Sequence, residues 1–539
     1  MEKVKKHTRS GALRTGVLIL TVANLAVKVL GFAYKVPLNA LLGDEMANVN
    51  AACALYALLY TVSTAGIPSA VALSVSRARA AKDGARIKRL FDGTMTLLLA
   101  VGCLLSLLLL LLAHPISLMS TDGEGFLCTV AIAPALFFTA ASAVLRGFFQ
   151  GFSLLTPTAV SELFEALGKT LFGLALAFFS LQSLGKPAPV AAALAVFGIT
   201  LGVLMGAAYL ALFYKRHAPA LLAPLDAPSP QKEGWGAIYR TLLVTALPLA
   251  LCSALMSLSS LLDAGLMRPL LASYYGDEAL AKALYSDYST GALTLYNLPA
   301  VLITPLAAAL IPYVSGAAAR GEEERAKEIT RATIKLAAVL SLPCAAGLLV
   351  LARPILSFVF GADVNMADHA GPSLSVLAVA VFLAAVLTVT TATLQAMGRA
   401  RLPIFSLGVG VLCKLLSMSL LVSRFGTLGV PLSTVAFYAV SVLLNLVFLS
   451  RLRLLRLRPF DTFLRPLFCA AACGGMAYFS YRPLAPVLGS AAALLLAVLL
   501  GGVVYLLLLV LTRALNGREI ALLPLGKRTR AILENVFKV

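Results

Sequence analysis

Eight ionisable side chains interrupt long apolar stretches of this 539-residue chain: Lys28, Lys35, Glu162, Glu165, Lys169, Asp263, Arg268 and Lys414. In hydrocarbon each such group costs a few kcal/mol, so it is expected to face a polar cavity or to pair with another charge. Cations outnumber anions in the set, which suits an anionic ligand. Phosphate is the natural match, because ammonium and guanidinium groups give it charge-assisted hydrogen bonds. Lys28 and Lys414 have no opposite charge nearby in sequence and sit deep in their segments, so both are expected to line a cavity. Lys35 and Arg268 lie near segment ends and could instead reach the headgroups. Glu165 and Lys169 are one helical turn apart and could neutralise each other on one face. The candidate ligand-binding residues are therefore Lys28, Lys35, Lys169, Arg268 and Lys414. Glu162, Glu165 and Asp263 are candidates for binding a coupling ion or tuning the cations.

Other chemistry finds little footing. The four histidines, His7, His114, His217 and His369, fall at loops or segment ends without metal-ligand spacing. No phosphate-binding G-x-x-x-x-G-K-[ST] loop and no G-x-S-x-G elbow is present. Gly408-Val409-Gly410 lies inside an apolar segment, the wrong context for a nucleotide fingerprint. The eight cysteines are scattered through apolar segments and read as small buried hydrophobes. An enzyme is not expected, nor is a metal or a cofactor. Energy input would have to come from ion gradients, membrane potential or ligand supply.

Sixty per cent of the residues are hydrophobic and 13% charged, and the mean hydropathy is +0.92. Soluble domains carry about twice that share of charge, so lipid must be the solvent for much of the surface. A net charge of +20 would suggest nucleic acid in a soluble chain, but here it distributes across loops and no nucleic-acid partner is expected. Taking about 20 apolar residues per crossing, fourteen spans are predicted, near 12–36, 48–75, 90–113, 124–147, 157–181, 187–214, 239–267, 288–315, 330–352, 370–397, 402–423, 427–450, 462–480 and 486–512. With the N-terminus inside, 34 of the 44 Lys and Arg fall in cytoplasmic segments, seven outside and three within spans. That split follows the positive-inside rule and puts both termini in the cytoplasm. Several spans carry Pro and Gly where bending would be accommodated: Gly66-Ile67-Pro68, Pro248, and Pro299 with Pro305 and Pro312. Arg-Leu-Arg-Leu-Leu-Arg-Leu-Arg at 451–458 and the tail at 513–539 read as basic amphipathic stretches on the anionic inner leaflet.

The chain also repeats itself. Ala113-His114-Pro115-Ile116 and Ala352-Arg353-Pro354-Ile355 are 239 residues apart, as are Val75-Ser76 and Val314-Ser315; Gln150 and Lys169 recur 245 residues on as Gln395 and Lys414. Six spans separate the copies, so they share one orientation. A parallel repeat of this kind is found in transporters with the ligand site between the halves. The predicted organisation is an N-lobe at 1–214 with spans 1–6, a cytoplasmic linker at 215–238, a C-lobe at 239–451 with spans 7–12, spans 13–14 at 452–512, and the basic tail at 513–539.

Several motifs carry a resemblance. They are Lys28–Phe32 (KVLGF), Leu42-Gly43-Asp44, Ser63–Ala70 (STAGIPSA), Leu145–Gly151 (LRGFFQG), Pro157–Glu165 (PTAVSELFE), Asn297–Ala300 (NLPA) and Leu310–Glu322 (LIPYVSGAAARGE). Together they resemble the polysaccharide-biosynthesis membrane proteins of the stage V sporulation protein B type. That family is similar to the MurJ-type lipid II flippases and belongs to the multidrug/oligosaccharidyl-lipid/polysaccharide exporter superfamily. The resemblance implies an all-α fold of fourteen helices, with two six-helix lobes around a central cavity and two C-terminal helices. It implies alternating access without ATP in a bacterial cytoplasmic membrane. Its implied cargo is a polyprenyl-diphosphate-linked saccharide, with lipid II as the leading example, moved for cell-wall or sporulation needs. In the lipid II flippases, cationic residues of helix 1 line the cavity; Lys28 occupies the place of one such arginine. The next falls at Tyr34, with Lys35 beside it, and Glu162 stands where the sporulation-type pattern more often has Gln. The expected partners are a lipid-linked saccharide, membrane lipids and a coupling ion, H+ or Na+. A cation-coupled multidrug exporter of the same superfamily is the alternative; its cavity should be dominated by carboxylates. A membrane-embedded glycosyltransferase would need large outer loops, and those here are short.

Overall fold

In bilayer hydrocarbon a backbone must satisfy its own polar groups, and helices do so within one segment. The computed structural model follows that rule: every regular element among the described residues is helical. These residues are 23, 26–64, 66–121, 123–152, 154–225, 235–300, 303, 314, 322–361, 364–455 and 460–515. Nine stretches among them are long and apolar enough to cross a membrane, and one, Arg401–Arg451, contains two helices joined at Gly426. The chain is a multi-pass membrane protein. The start of the first predicted span, much of 301–321, part of the linker, residues 456–459 of the basic loop, and the tail beyond 515 lie outside the described residues.

We number the helices α1 (26–42), α2 (Met46–Thr64), α3 (Ile67–Ala80), α4 (Gly84–Thr121), α5 (Phe126–Ile132), α6 (Ala135–Gly151), α7 (Thr156–Gln182), α8 (Ala188–Leu222), α9 (Trp235–Tyr275), α10 (Glu278–Asp287), α11 (Leu293–Tyr296), α12 (Glu323–Val359), α13 (Val364–Ala396), α14 (Arg401–Phe425), α15 (Gly429–Arg451), α16 (Arg465–Leu488) and α17 (Ser490–Leu511). The predicted second span breaks at Gly66, whose φ of +78° only glycine adopts freely. The predicted fourth breaks at Pro134. Pro248, by contrast, sits inside an uninterrupted α9. The sequence repeat reappears in the helix boundaries: α4 and α12 start 239 residues apart, and α7 and α14 start 245 apart.

The chain divides into two compact units, Met1–Arg268 and Pro269–Val539. In the first, α7 and α8 pack so closely that glycine is the only residue that fits at two contacts. A Cβ on Gly202 would stand 2.5 Å from the Glu165 carbonyl oxygen and 2.6 Å from the Lys169 nitrogen, and one on Gly198 would run into the Gly173 backbone. Small residues drive helix association in lipid by admitting this approach. Gly202→Ala should therefore cost about 1–3 kcal/mol of overpacking, read as a lowered melting temperature in detergent. Because the clashing atoms are backbone rather than flexible side chain, the α7–α8 spacing must widen.

In the second unit, Asn445 of α15 accepts from Ser406 Oγ of α14 at 2.6 Å and donates to Thr390 and Thr391 of α13 at 3.2 and 3.1 Å. Such side-chain bonds join helices where lipid supplies no hydrophobic drive. Tyr505 of α17 donates to the Val339 carbonyl of α12 at 2.6 Å, which fixes the last helix on the unit. A π-helical turn, 288–292, follows α10, and Asp287 just before it pairs with His369 of α13 at 2.6 Å.

Candidate functional site

The first unit carries a half-open cavity of about 370 Å³. Its wall takes Val27 and Gly31 from α1, Tyr56, Ala57 and Tyr60 from α2, Arg146 from α6, Glu162, Glu165, Ala166, Lys169 and Thr170 from α7, and Ile199 and Val203 from α8. The α7 residues share a face because 162, 165, 166, 169 and 170 follow the helical period. Helix α7 therefore presents two carboxylates and, one turn further on, an ammonium to one space.

Arg146 organises one end. It is 7% exposed and gives Glu165 Oε1 a hydrogen-bonded ion pair of 2.6 Å. Its Nε donates to Ser161 Oγ at 3.1 Å. Glu162 and Tyr60 also lie within its electrostatic reach. The Glu162 Oε2 atom is buried with no hydrogen-bond partner among the described residues. Tyr56 donates to or accepts from Thr139 at 3.0 Å, and its ring stands 5.7 Å from that of Tyr60.

The other end is cationic. Lys169 Nζ lies 4.6 Å from the centre of the Tyr34 ring. Tyr34 is held in place by a 3.1 Å bond from its hydroxyl to the Ala195 carbonyl. The ring face attracts the ammonium, worth on the order of 0.5–2 kcal/mol. Lys28 and Lys35 lie within electrostatic reach of Lys169 and of each other, and Cys53 is beside Lys35 and Lys169. Lys169 in the cavity wall thus has two further lysines within its electrostatic reach.

The structure brings five of the eight candidate residues together. Glu162, Glu165 and Lys169 line the cavity; exposed Lys28 and half-buried Lys35 of α1 are not in its wall but lie within electrostatic reach of Lys169. Asp263 and Arg268 are buried on α9 and are not in the cavity wall. Lys414 is fully buried on α14, in the second unit. Glu165 pairs with Arg146 rather than with Lys169 one turn away, because the guanidinium approaches from the neighbouring helix. Arg146 falls at the very end of the predicted fourth span, 124–147, yet α6 continues past it to Gly151. The signal lies in its C-terminal neighbours: Gly147-Phe148-Phe149 is apolar, and only four residues separate α6 from α7.

The sequence pattern of the polysaccharide biosynthesis protein family matches residues 13–318, and that of the MatE family matches residues 248–419. The chain is 23% identical over 454 residues to the lipid II flippase MurJ of Bacillus subtilis (strain 168), covering 82% of this chain and 83% of that protein. It is 26% identical over 305 residues to the stage V sporulation protein B of the same organism, covering 56% of this chain and 57% of that protein. Among solved structures, it is similar to a lipid II flippase MurJ in an inward closed conformation, with a TM-score of 0.66, 13% identity, and coverage of 92% of this chain and 98% of that one. The match spans more than half of the chain and agrees with the motifs: this protein belongs to the polysaccharide biosynthesis protein family.

Proposed function

We propose that the protein is a flippase for a polyprenyl-diphosphate-linked oligosaccharide, with lipid II the first cargo to test. The observation that carries this reading is Lys169 in the wall of the cavity with Lys28 and Lys35 within its electrostatic reach. Three cations held close together repel one another, and a diphosphate relieves that repulsion while accepting charge-assisted hydrogen bonds. The likeness to a lipid II flippase supports the same cargo. In this reading the diphosphate enters from the inner leaflet and is held first by Lys28 and Lys35. Lys169 takes it deeper, and Arg268 and Lys414 supply further positive charge along the route. Glu162, Glu165 and Asp263 tune these cations or take a coupling ion. In this reading the N-lobe is 1–214, the linker 215–238, the C-lobe 239–451 and the C-terminal pair of helices 452–512, with both termini in the cytoplasm of a bacterial cell.

The test is rescue of a bacterium depleted of its own flippases, with lipid II on the outer leaflet measured by chemical labelling. The expected result is restored accessibility, and a loss of at least about tenfold in rate for Lys28→Ala at equal membrane expression, the cost of one charged phosphate contact. Wild-type rates from Lys28→Ala would remove the diphosphate role. A cation-coupled drug exporter is the second reading, favoured by the match to the MatE family and by the two cavity carboxylates. Efflux of cationic drugs without any effect on lipid II would support it.

A further inference from the structure

The cavity has two chemically different ends, and only the cationic one is used by a diphosphate. The other combines Glu162, the Arg146–Glu165 ion pair and the Tyr56 and Tyr60 rings. Arg146 is already committed: its head bonds Glu165 and Ser161. Glu162 is not, since one of its carboxylate oxygens is buried without a partner among the described residues. A buried carboxylate oxygen left unpaired is costly, so it calls for a hydrogen-bond donor from the occupant. Two tyrosines in the same wall add flat apolar surface with polar edges, the kind of face that covers a ring bearing both C–H and O–H groups.

Spacing relates the two ends. Glu162 and Lys169 are seven residues apart on one helix, which is about 10 Å along its axis. A phosphate at Lys169 and a sugar ring at Glu162 would be separated by about one further phosphate and a glycosidic link. The length of α7 between these residues therefore matches a glycosyl diphosphate, not a bare diphosphate.

We propose that Glu162, with Tyr60 and Tyr56, forms a saccharide subsite that reads hydroxyl or amide donors on the first sugar of the cargo. This makes Glu162 a specificity residue rather than an ion-coupling one. The proposal rests on the diphosphate reading of the lysine cluster. It extends that reading from the charge of the headgroup to its glycan.

The experiment compares two water-soluble probes on the full-length protein in detergent: a short-chain prenyl diphosphate, and the same lipid carrying one N-acetylhexosamine on its diphosphate. Wild-type protein should bind the glycosylated probe more tightly. In Glu162→Gln, which keeps the shape and removes the charged acceptor, the preference should fall about tenfold, the size of one hydrogen bond to a charged group. Tyr60→Leu should reduce the same preference, and Lys169→Met should weaken both probes together. Equal affinity of the wild-type protein for the two probes, or a preference untouched by Glu162→Gln and Tyr60→Leu, would overturn the saccharide subsite while leaving the diphosphate reading intact. Failure of either probe to bind, with Lys169→Met making no difference, would instead remove the diphosphate reading beneath it.

Discussion

Arg146→Met is expected to destabilise the folded protein by about 3 kcal/mol or more, the cost of leaving one partner of a buried ion pair uncompensated. The lower end of the usual range applies, because the Glu165 side chain is 23% exposed and borders the cavity, where water can reach it. The loss should appear as a drop in the midpoint of thermal unfolding in detergent. Arg146→Met combined with Glu165→Met should recover most of that drop, since removing both charges also removes their desolvation cost. Glu165→Met alone should be harmful for the converse reason: it leaves the guanidinium, bonded otherwise only to Ser161 among the described residues, deep between α6 and α7. A double variant no more stable than Arg146→Met would show that the guanidinium acts through contacts other than this pair. The prediction bears on function as well, because the pair fixes the rotation of α7 and so decides where Lys169 and Glu162 point.

The membrane class, the all-helical fold and the family were legible because each rests on many residues at once. Apolar runs, the distribution of Lys and Arg, and the paired motifs 239 and 245 residues apart accumulate over the whole chain. The site was only partly legible, because it depends on which faces of different helices meet. Lys169 stands out in an apolar run whatever its neighbours. Its place over Tyr34 does not, since that requires knowing how α1 lies against α7. The same limit hid Arg146. Hydropathy treats a charge near the end of a span as a loop residue, and only its three-dimensional partner, nineteen positions along the chain, explains why it can stay inside. Lys169 lies within reach of Glu165 along its own helix, yet the donor that pairs with Glu165, Arg146, comes from α6. Broken helices divide in the same manner. Gly66 ends α2 because its backbone adopts a positive φ, whereas Pro248 is carried within α9, so the presence of a helix-breaking residue does not by itself place the break.

Lys169→Met should separate stability from transport by moving them in opposite directions. An ammonium inside a membrane helix costs about 2.5–3.5 kcal/mol, and its position within reach of Lys28 and Lys35 adds repulsion. The Tyr34 ring returns only about 0.5–2 kcal/mol of this. The balance favours the apolar side chain, so the variant is expected to melt higher than wild type by roughly 1 kcal/mol of stability. Transport should fall about 10- to 100-fold, because a charged contact to the diphosphate is worth about 1.5–3 kcal/mol. Lys169→Arg tests charge against shape: it restores the cation but spreads it over a planar group that must share space with Tyr34, so partial recovery is expected. The opposite signs are what distinguish a ligand-binding lysine from a structural one. A lysine kept for packing would lose stability when replaced, and transport would decline only in step with the amount of folded protein. A lysine kept for its ligand strains the empty protein, and adding diphosphate should stabilise wild type while leaving Lys169→Met almost unmoved.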